Sequence, residues 1–181
     1  MGLTQRELCR ETQQWYALTV RHQHERTAKA ALQSKRLDTL VPSYEVRNRW
    51  SDRDKALTLP LFSGYVFCRF DNADRVTVLN TPGVRGIVGF GGRAAAIDAR
   101  EIEAIERMSA SGVALSPWPY LKPGDAVRVE RGPLRGMMGT LIREKDKCRL
   151  VIGVELLQRS IAAEVALEEI VPIAKVRAVG V

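Results

Sequence analysis

Apolar and polar positions alternate through Tyr65-Val66-Phe67-Cys68-Arg69-Phe70, the pattern of a strand with two differently used faces. A Pro-, Ser- and Gly-bearing stretch, Leu59 to Gly64, leads into it as a turn. Upstream, Trp15 to Val20 is short, aromatic and β-branched and predicts another strand. Glu25 to Leu37 predicts a helix, with Ala28, Ala31 and Leu32 on one face and Arg26, Lys29, Lys35 and Arg36 outside. Leu40 to Val46 predicts a strand that Pro42 confines to an edge or a bulge. Arg47 to Lys55 reads as a charged hairpin loop, after which Ala56 to Leu59 resumes extended chain. Asp74 to Leu79 predicts a short helix stopped by Asn80-Thr81-Pro82-Gly83. Val84 to Phe90 is extended and ends at Gly91-Gly92. Asp98-Ala99-Arg100-Glu101 resembles a capping box and opens a helix carrying Ile102, Ile105 and Met108 on one side. This order predicts an α+β sandwich, helices packed on one antiparallel sheet.

The pattern then changes. Ser109 to Tyr120, with Ser111-Gly112, Ser116-Pro117 and Pro119, reads as a linker. From Lys122 the pattern is all-β: a Pro123-Gly124-Asp125 turn, Val127 and Val129 facing opposite to Arg128 and Glu130, and further strands at Gly139–Arg143 and Cys148–Leu156. Several short strands in so few residues predict a small barrel. The expected division is an N-terminal tail at 1–13, a first domain at 14–110, a linker at 111–121, a second domain at 122–175 and a tail at 176–181.

The 181 residues suffice for one ordinary domain or two small ones. A formal net charge of +7 favours an acidic partner: nucleic acid, a membrane surface or an acidic protein face. Cys9, Cys68 and Cys148 are odd in number with no C-x-x-C spacing, which suggests reduced thiols and a cytoplasmic location. No apolar run is long enough to span a membrane, and the polar Met1–Thr12 stretch is not a secretory signal. Catalysis finds little support. His22 and His24 lack a matching Cys, Asp or Glu cluster for a metal. The glycine-rich Gly89-Phe90-Gly91-Gly92 ends a strand without opening a helix, so it is no phosphate cradle. Neither an enzyme activity, a metal nor a cofactor is expected.

Three segments together resemble the NusG family of transcription elongation factors over residues 14–174. They are Trp15-Tyr16 opening the first strand; Pro60-Leu61-Phe62-Ser63-Gly64-Tyr65-Val66-Phe67 with Thr81-Pro82-Gly83-Val84 through Gly89-Phe90-Gly91-Gly92; and Pro123-Gly124-Asp125-Ala126-Val127-Arg128-Val129 with Gly132-Pro133-Leu134-Arg135-Gly136, which looks like a KOW motif. Arg49-Trp50-Ser51-Asp52-Arg53, Leu59-Pro60-Leu61-Phe62 and Trp118-Pro119-Tyr120 make it most similar to specialised paralogues of the RfaH/UpxY type. The resemblance implies a polymerase-binding NGN domain followed by a KOW domain folded as an SH3-like barrel. It also implies an elongation-stimulating, antipausing or antitermination role. The alternatives are a housekeeping factor coupling to Rho and the ribosome, or a ribosome-associated RNA-binding protein.

The resemblance also implies sites. An apolar patch receiving the polymerase clamp helices corresponds to Trp15, Tyr16, Phe62 and Tyr65, with Leu61 at its edge; rigid aromatics suit helix-in-groove docking. Trp15 and Tyr65 fit a core position equally well, whereas Phe62, in a turn-rich loop, is the expected surface anchor. Thr77 lies where RfaH-type members contact the opposite jaw. Arg47, Arg49, Arg53 and Lys55 around Trp50 could follow a phosphate backbone and stack on a base of the non-template strand; a solvated loop with Trp50 folded back is the alternative. Leu156, Leu157, Arg159 and Ile161 correspond to the KOW surface that recruits Rho or a ribosomal protein. Leu157 and Gln158 replace an aromatic and a glycine common in housekeeping members, which favours a paralogue that excludes Rho. A barrel is expected rather than the helical hairpin that RfaH also adopts, because Val127, Val129, Val151, Ile152 and Val154 favour strands. The family expectation is a monomer.

Overall fold

A computed structural model describes residues 13–50, 53–119, 125–144 and 147–173, with backbone alone at 47–50, 53–56, 119 and 144. The first elements are β1 (Gln14–Val20), α1 (Glu25–Ser34), β2 (Asp38–Leu40), β3 (Ser43–Trp50), β4 (Arg53–Pro60) and β5 (Tyr65–Phe70). Next come α2 (Arg75–Leu79), β6 (Val84–Ile87), β7 (Gly89–Phe90), β8 (Arg93–Ala94), β9 (Ala96–Ile97) and α3 (Ala99–Ala110). The last strands are β10 (Leu115–Pro119), β11 (Asp125–Val129), β12 (Met138–Glu144), β13 (Lys147–Val154), β14 (Arg159–Val165) and β15 (Ile170–Pro172). The chain divides into two compact units, with the division inside α3 between Ile102 and Glu103.

In the first unit β1 is central. It pairs antiparallel with β5 on one side and with β6 and β9 on the other, and β2 extends the sheet beyond β5. Strand alternation gives each face a separate job. Leu18, Val20, Val66, Cys68 and Phe70 form one core with Ala28 and Leu32 of α1 and Val78 of α2. The apolar stripe expected on α1 is therefore the buried one. The helix ends at Ser34, short of the expected Leu37, because Arg36 takes a left-handed conformation (φ 64°) that turns the chain out of the helix. At the start of α3 the expected Asp98 cap forms, its Oδ1 accepting the Arg100 N–H at 2.9 Å.

The strand foreseen at 40–46 is split: β2 ends at Leu40 and β3 starts at Ser43. Pro42 lacks an N–H for a ladder, and its carbonyl instead accepts the Leu61 N–H at 2.9 Å. The charged loop foreseen at 47–55 is mostly strand. The β3–β4 ladder runs from Ser43↔Pro60 out to Trp50↔Arg53, and only the tip at 51–52 lies outside the described residues.

The second unit is a six-stranded antiparallel sheet in the order β10-β14-β13-β12-β11-β15. Strands β11 to β14 run as a meander, and β15 returns to pair with β11, as an SH3-like barrel requires. Its core consists of Val127, Val129, Leu141, Leu150, Ile152, Val154 and Ile161. The fold is thus α+β, a sheet-and-helix unit followed by a barrel. Residues 115–119, foreseen inside a linker, are instead β10, which pairs along β14 from Leu115↔Ala163 to Pro119↔Arg159. Proline is tolerated there because β10 is an edge strand.

Candidate functional site

The loop that enters β5 is a tight turn. The Tyr65 N–H donates to the Phe62 carbonyl at 3.1 Å, and Gly64, the third residue, sits at φ 84°, which a side-chain-bearing residue adopts only with strain. Both peptide groups of Gly64 are held: its carbonyl accepts the Val20 N–H at 2.9 Å, and its N–H donates to Glu25 Oε1 at 2.8 Å. Glu25, 4% exposed at the first turn of α1, thus fastens a helix start to the turn. A carboxylate at that end of a helix also complements the helix dipole.

This turn points Phe62 inward, against expectation. Phe62 is 1% exposed and packs edge-on against Phe67, ring centres 5.2 Å apart; aromatic pairs favour this T-shaped arrangement. Leu61 is buried as well. Turn chemistry suggested a surface ring, but a four-residue turn reverses the chain over the sheet and brings its first residue back onto the strand.

The register also separates Trp15 from Tyr16. Trp15, Ala17 and Thr19 lie opposite Arg69, Phe67 and Tyr65, so these six share one face. Tyr16 points to the other face, where it meets Phe70 at 4.5 Å and packs against the helix-side core. The structure therefore leaves Trp15 and Tyr65, both half-buried, on one face at opposite ends of the β1–β5 ladder with the buried Phe67 between them, and removes Tyr16 from that face.

Thr77 is exposed on α2, which packs on the Tyr16 side of the sheet. Its carbonyl accepts Lys35 Nζ at 2.9 Å, and Lys35 Nζ also reaches Thr81 Oγ1 at 2.8 Å. Thr81, itself 2% exposed, returns a hydrogen bond to the Thr77 carbonyl at 2.9 Å. Lys35, counted in the sequence as part of a solvated basic face, is thus a staple between α1 and α2. Arg26 is likewise engaged, donating from Nη2 to the Thr58 carbonyl at 2.9 Å. Beneath α2, burial together with the neighbouring Asp38 and Asp74 pushes the Cys68 thiol up from its ordinary 9.0 to about 12.

The candidate nucleic-acid residues Arg47, Arg49, Trp50, Arg53 and Lys55 fall on the outer half of the β3–β4 hairpin. Their backbones are described, and their side chains lie outside the described residues. Beside the base of that hairpin is a cleft of about 310 Å³ lined by His22, Gln23, Arg26, Val41, Ser43 and Thr58, among others. Both histidines are exposed, and among the described residues no three His, Cys, Asp or Glu side chains group as metal ligands.

At the barrel tip, Leu156 and Leu157 are half-buried and Arg159 is exposed. Ile161 is not at the tip surface: it is 0% exposed and lies opposite Ile152 in the core. The register decides this: Ile161 pairs with Ile152, and Ala163 with Leu150, on the face turned to the barrel core. Gln158 sits in the left-handed region (φ 50°) and donates from Nε2 to the Glu155 carbonyl at 2.8 Å.

A model of the family described as "Transcription termination factor nusG" matches residues 13–106. The chain belongs to the NusG family. Among curated members, the NusG of Thermus thermophilus is 29% identical over 164 residues, 78% of this chain and 89% of that one. The NusG of Staphylococcus carnosus is 27% identical over 173 residues, 86% and 93% of the two chains. Both are described as transcription termination/antitermination proteins. Among solved structures, one described as "Domain interaction in Thermotoga maritima NusG" superposes with a TM-score of 0.54 at 18% identity, covering 91% of this chain and 99% of that one. Membership makes the chain a NusG-like termination/antitermination factor rather than an enzyme.

Proposed function

We propose that the chain binds RNA polymerase through the sheet face of its first unit and modifies pausing or termination while its barrel recruits a second partner. The observation that carries this is that Trp15, opposite Arg69, and Tyr65, opposite Thr19, are half-buried on one face of β1 and β5, with the buried Phe67, packed on Phe62, on the same face between them. Amphipathic rings flanking packed aromatics on a sheet give a stiff apolar surface, suited to receive helices such as the polymerase clamp pair. The barrel contact is the tip, Leu156, Leu157 and Arg159, toward a ribosomal protein or Rho. The leucine and glutamine at 157 and 158 support a specialised RfaH/UpxY-type member acting on particular operons, with the Trp50 hairpin toward the non-template strand. The factor works in the cytoplasm as a monomer and takes no cofactor.

Titration of purified bacterial core RNA polymerase against the immobilised protein tests the first step. Tyr65→Ala and Trp15→Ala each weaken binding about tenfold or more with an unchanged circular dichroism spectrum. Wild-type affinity in both variants overturns the assignment. Transcription in vitro across a pause and a Rho-dependent terminator then separates an antiterminator from a Rho-coupled factor.

A further inference from the structure

The short hairpin of β7 and β8 stands as a two-stranded sheet of its own, with Gly89↔Ala94 and Phe90↔Arg93 as its pairs. It is anchored at its base, where the Ala95 N–H donates to the Val88 carbonyl at 3.1 Å and the Val88 N–H to the Ala17 carbonyl of β1 at 2.9 Å. Its turn is two residues long, Gly91 at φ 56° and Gly92 at φ 76°. Two successive positive φ values mark the tightest hairpin connection, whose twist matches the flanking strands. Gly89 is fixed for a different reason: a Cβ there would lie 1.9 Å from the Arg93 carbonyl oxygen. Three glycines therefore build a narrow, stiff projection.

That projection carries Phe90, 73% exposed, more than any other exposed large apolar side chain among the described residues. Cross-strand pairing puts Arg93, also exposed, on the same side of the hairpin as Phe90. An aromatic ring in water beside a guanidinium is the combination that stacks on an unpaired base and grips its phosphate. A duplex keeps its base faces stacked, so a single side ring needs a single strand. The chain's net charge of +7 favours the same partner.

We propose that the Phe90–Arg93 hairpin tip is a contact site for single-stranded nucleic acid, with Phe90 stacking on a base and Arg93 pairing with the adjacent phosphate. This site uses neither Trp15 nor Tyr65, and its test needs no polymerase. Fluorescence anisotropy of a labelled 15-mer of oligo-dT, titrated with the full chain at low salt, reads it directly. Phe90→Ala weakens binding between about fivefold and a hundredfold, the range for loss of one stacked base. Phe90→Leu, which keeps apolar bulk without a π face, loses nearly as much, and Phe90→Trp retains the affinity. Arg93→Gln weakens binding and lowers the slope of log affinity against log salt by about 0.7, as loss of one single-strand phosphate contact requires. Three outcomes overturn the proposal: no binding by the wild type up to about 100 μM protein, wild-type affinity in Phe90→Ala, or full affinity in Phe90→Leu, which would mean that the oligonucleotide is held without ring stacking. Because both side chains are exposed, thermal denaturation curves of the variants overlie that of the wild type.

Discussion

The Arg149 guanidinium lies 4.5 Å from the centre of the Trp118 indole. The pairings put Trp118, Ser160 and Ala162 on the outward face of the barrel sheet, the face that also carries the exposed Arg128 and Met138. Ser160 and Ala162 are nevertheless 4% and 1% exposed, so β10 and its tryptophan shield small residues that would otherwise face water. The indole Nε1 is buried without a hydrogen-bond partner among the described residues, a cost to the folded state.

From this, Trp118→Ala is expected to destabilise the barrel by about 2–3 kcal/mol through lost packing and stacking. Trp118→Phe stays within about 1 kcal/mol of the wild type, because it keeps a ring and removes the orphaned donor. Urea denaturation followed by hydrogen exchange at β14 amides checks both; equal losses in the two variants contradict this account.

Phe62 and Tyr65 separate stability from binding. Phe62→Ala empties a position 1% exposed against Phe67 and is expected to cost about 3–5 kcal/mol. Tyr65→Ala, at a half-buried position, costs about 1–2 kcal/mol. Denaturant midpoints at equal protein concentration distinguish them, and a Phe62→Ala variant as stable as Tyr65→Ala would return Phe62 to the surface.

Glu25→Ala leaves the Gly64 N–H without its acceptor and is expected to cost about 1–3 kcal/mol. Glu25→Gln keeps an acceptor oxygen and loses less. If both variants unfold at the same denaturant concentration, the charge rather than the hydrogen bond holds the turn.

Cys68, with its thiol held near pKa 12 by burial, stays protonated and unreactive toward iodoacetamide at pH 8 until the protein unfolds. The folded value lies above the ordinary 9.0, so the stability this site contributes is complete below pH 9 and is lost as pH rises toward 12. The stability difference between wild type and Cys68→Ala therefore shrinks across pH 9–12. Peptide-level alkylation and alkaline denaturation series measure the two effects.

Strand β5 and the helix-side core were legible because alternation and 3.6-residue spacing survive in Val66, Cys68, Phe70, Ala28 and Leu32. Strand β10 was hidden because Pro117 and Pro119 imitate a linker, and only the pairing with β14 shows that an edge strand tolerates them. The inward course of Phe62 depends on an edge contact with a residue across a turn, which no local pattern encodes. Ile161 was misplaced because a tip read as a loop has no faces, whereas its pairing with Ile152 across β13, which no local pattern encodes, turns it into the core. The roles of Lys35 and Glu25 rest on partners 46 and 39 residues away; a charged residue on a helix carries no mark of being so used.

Trp15 and Tyr16, neighbours in sequence, look out of opposite sides of β1. Sliding that strand by one position would exchange its two faces, sending Trp15 into the helix-side core and Leu18 and Val20 out of it. The irregularity between Thr19 and Val20, where pairing with β6 shifts, guards against such slippage by admitting one alignment. The molecule can display its aromatic face only after this alignment is chosen, so recognition by any partner is also a proofreading of how the central strand was threaded.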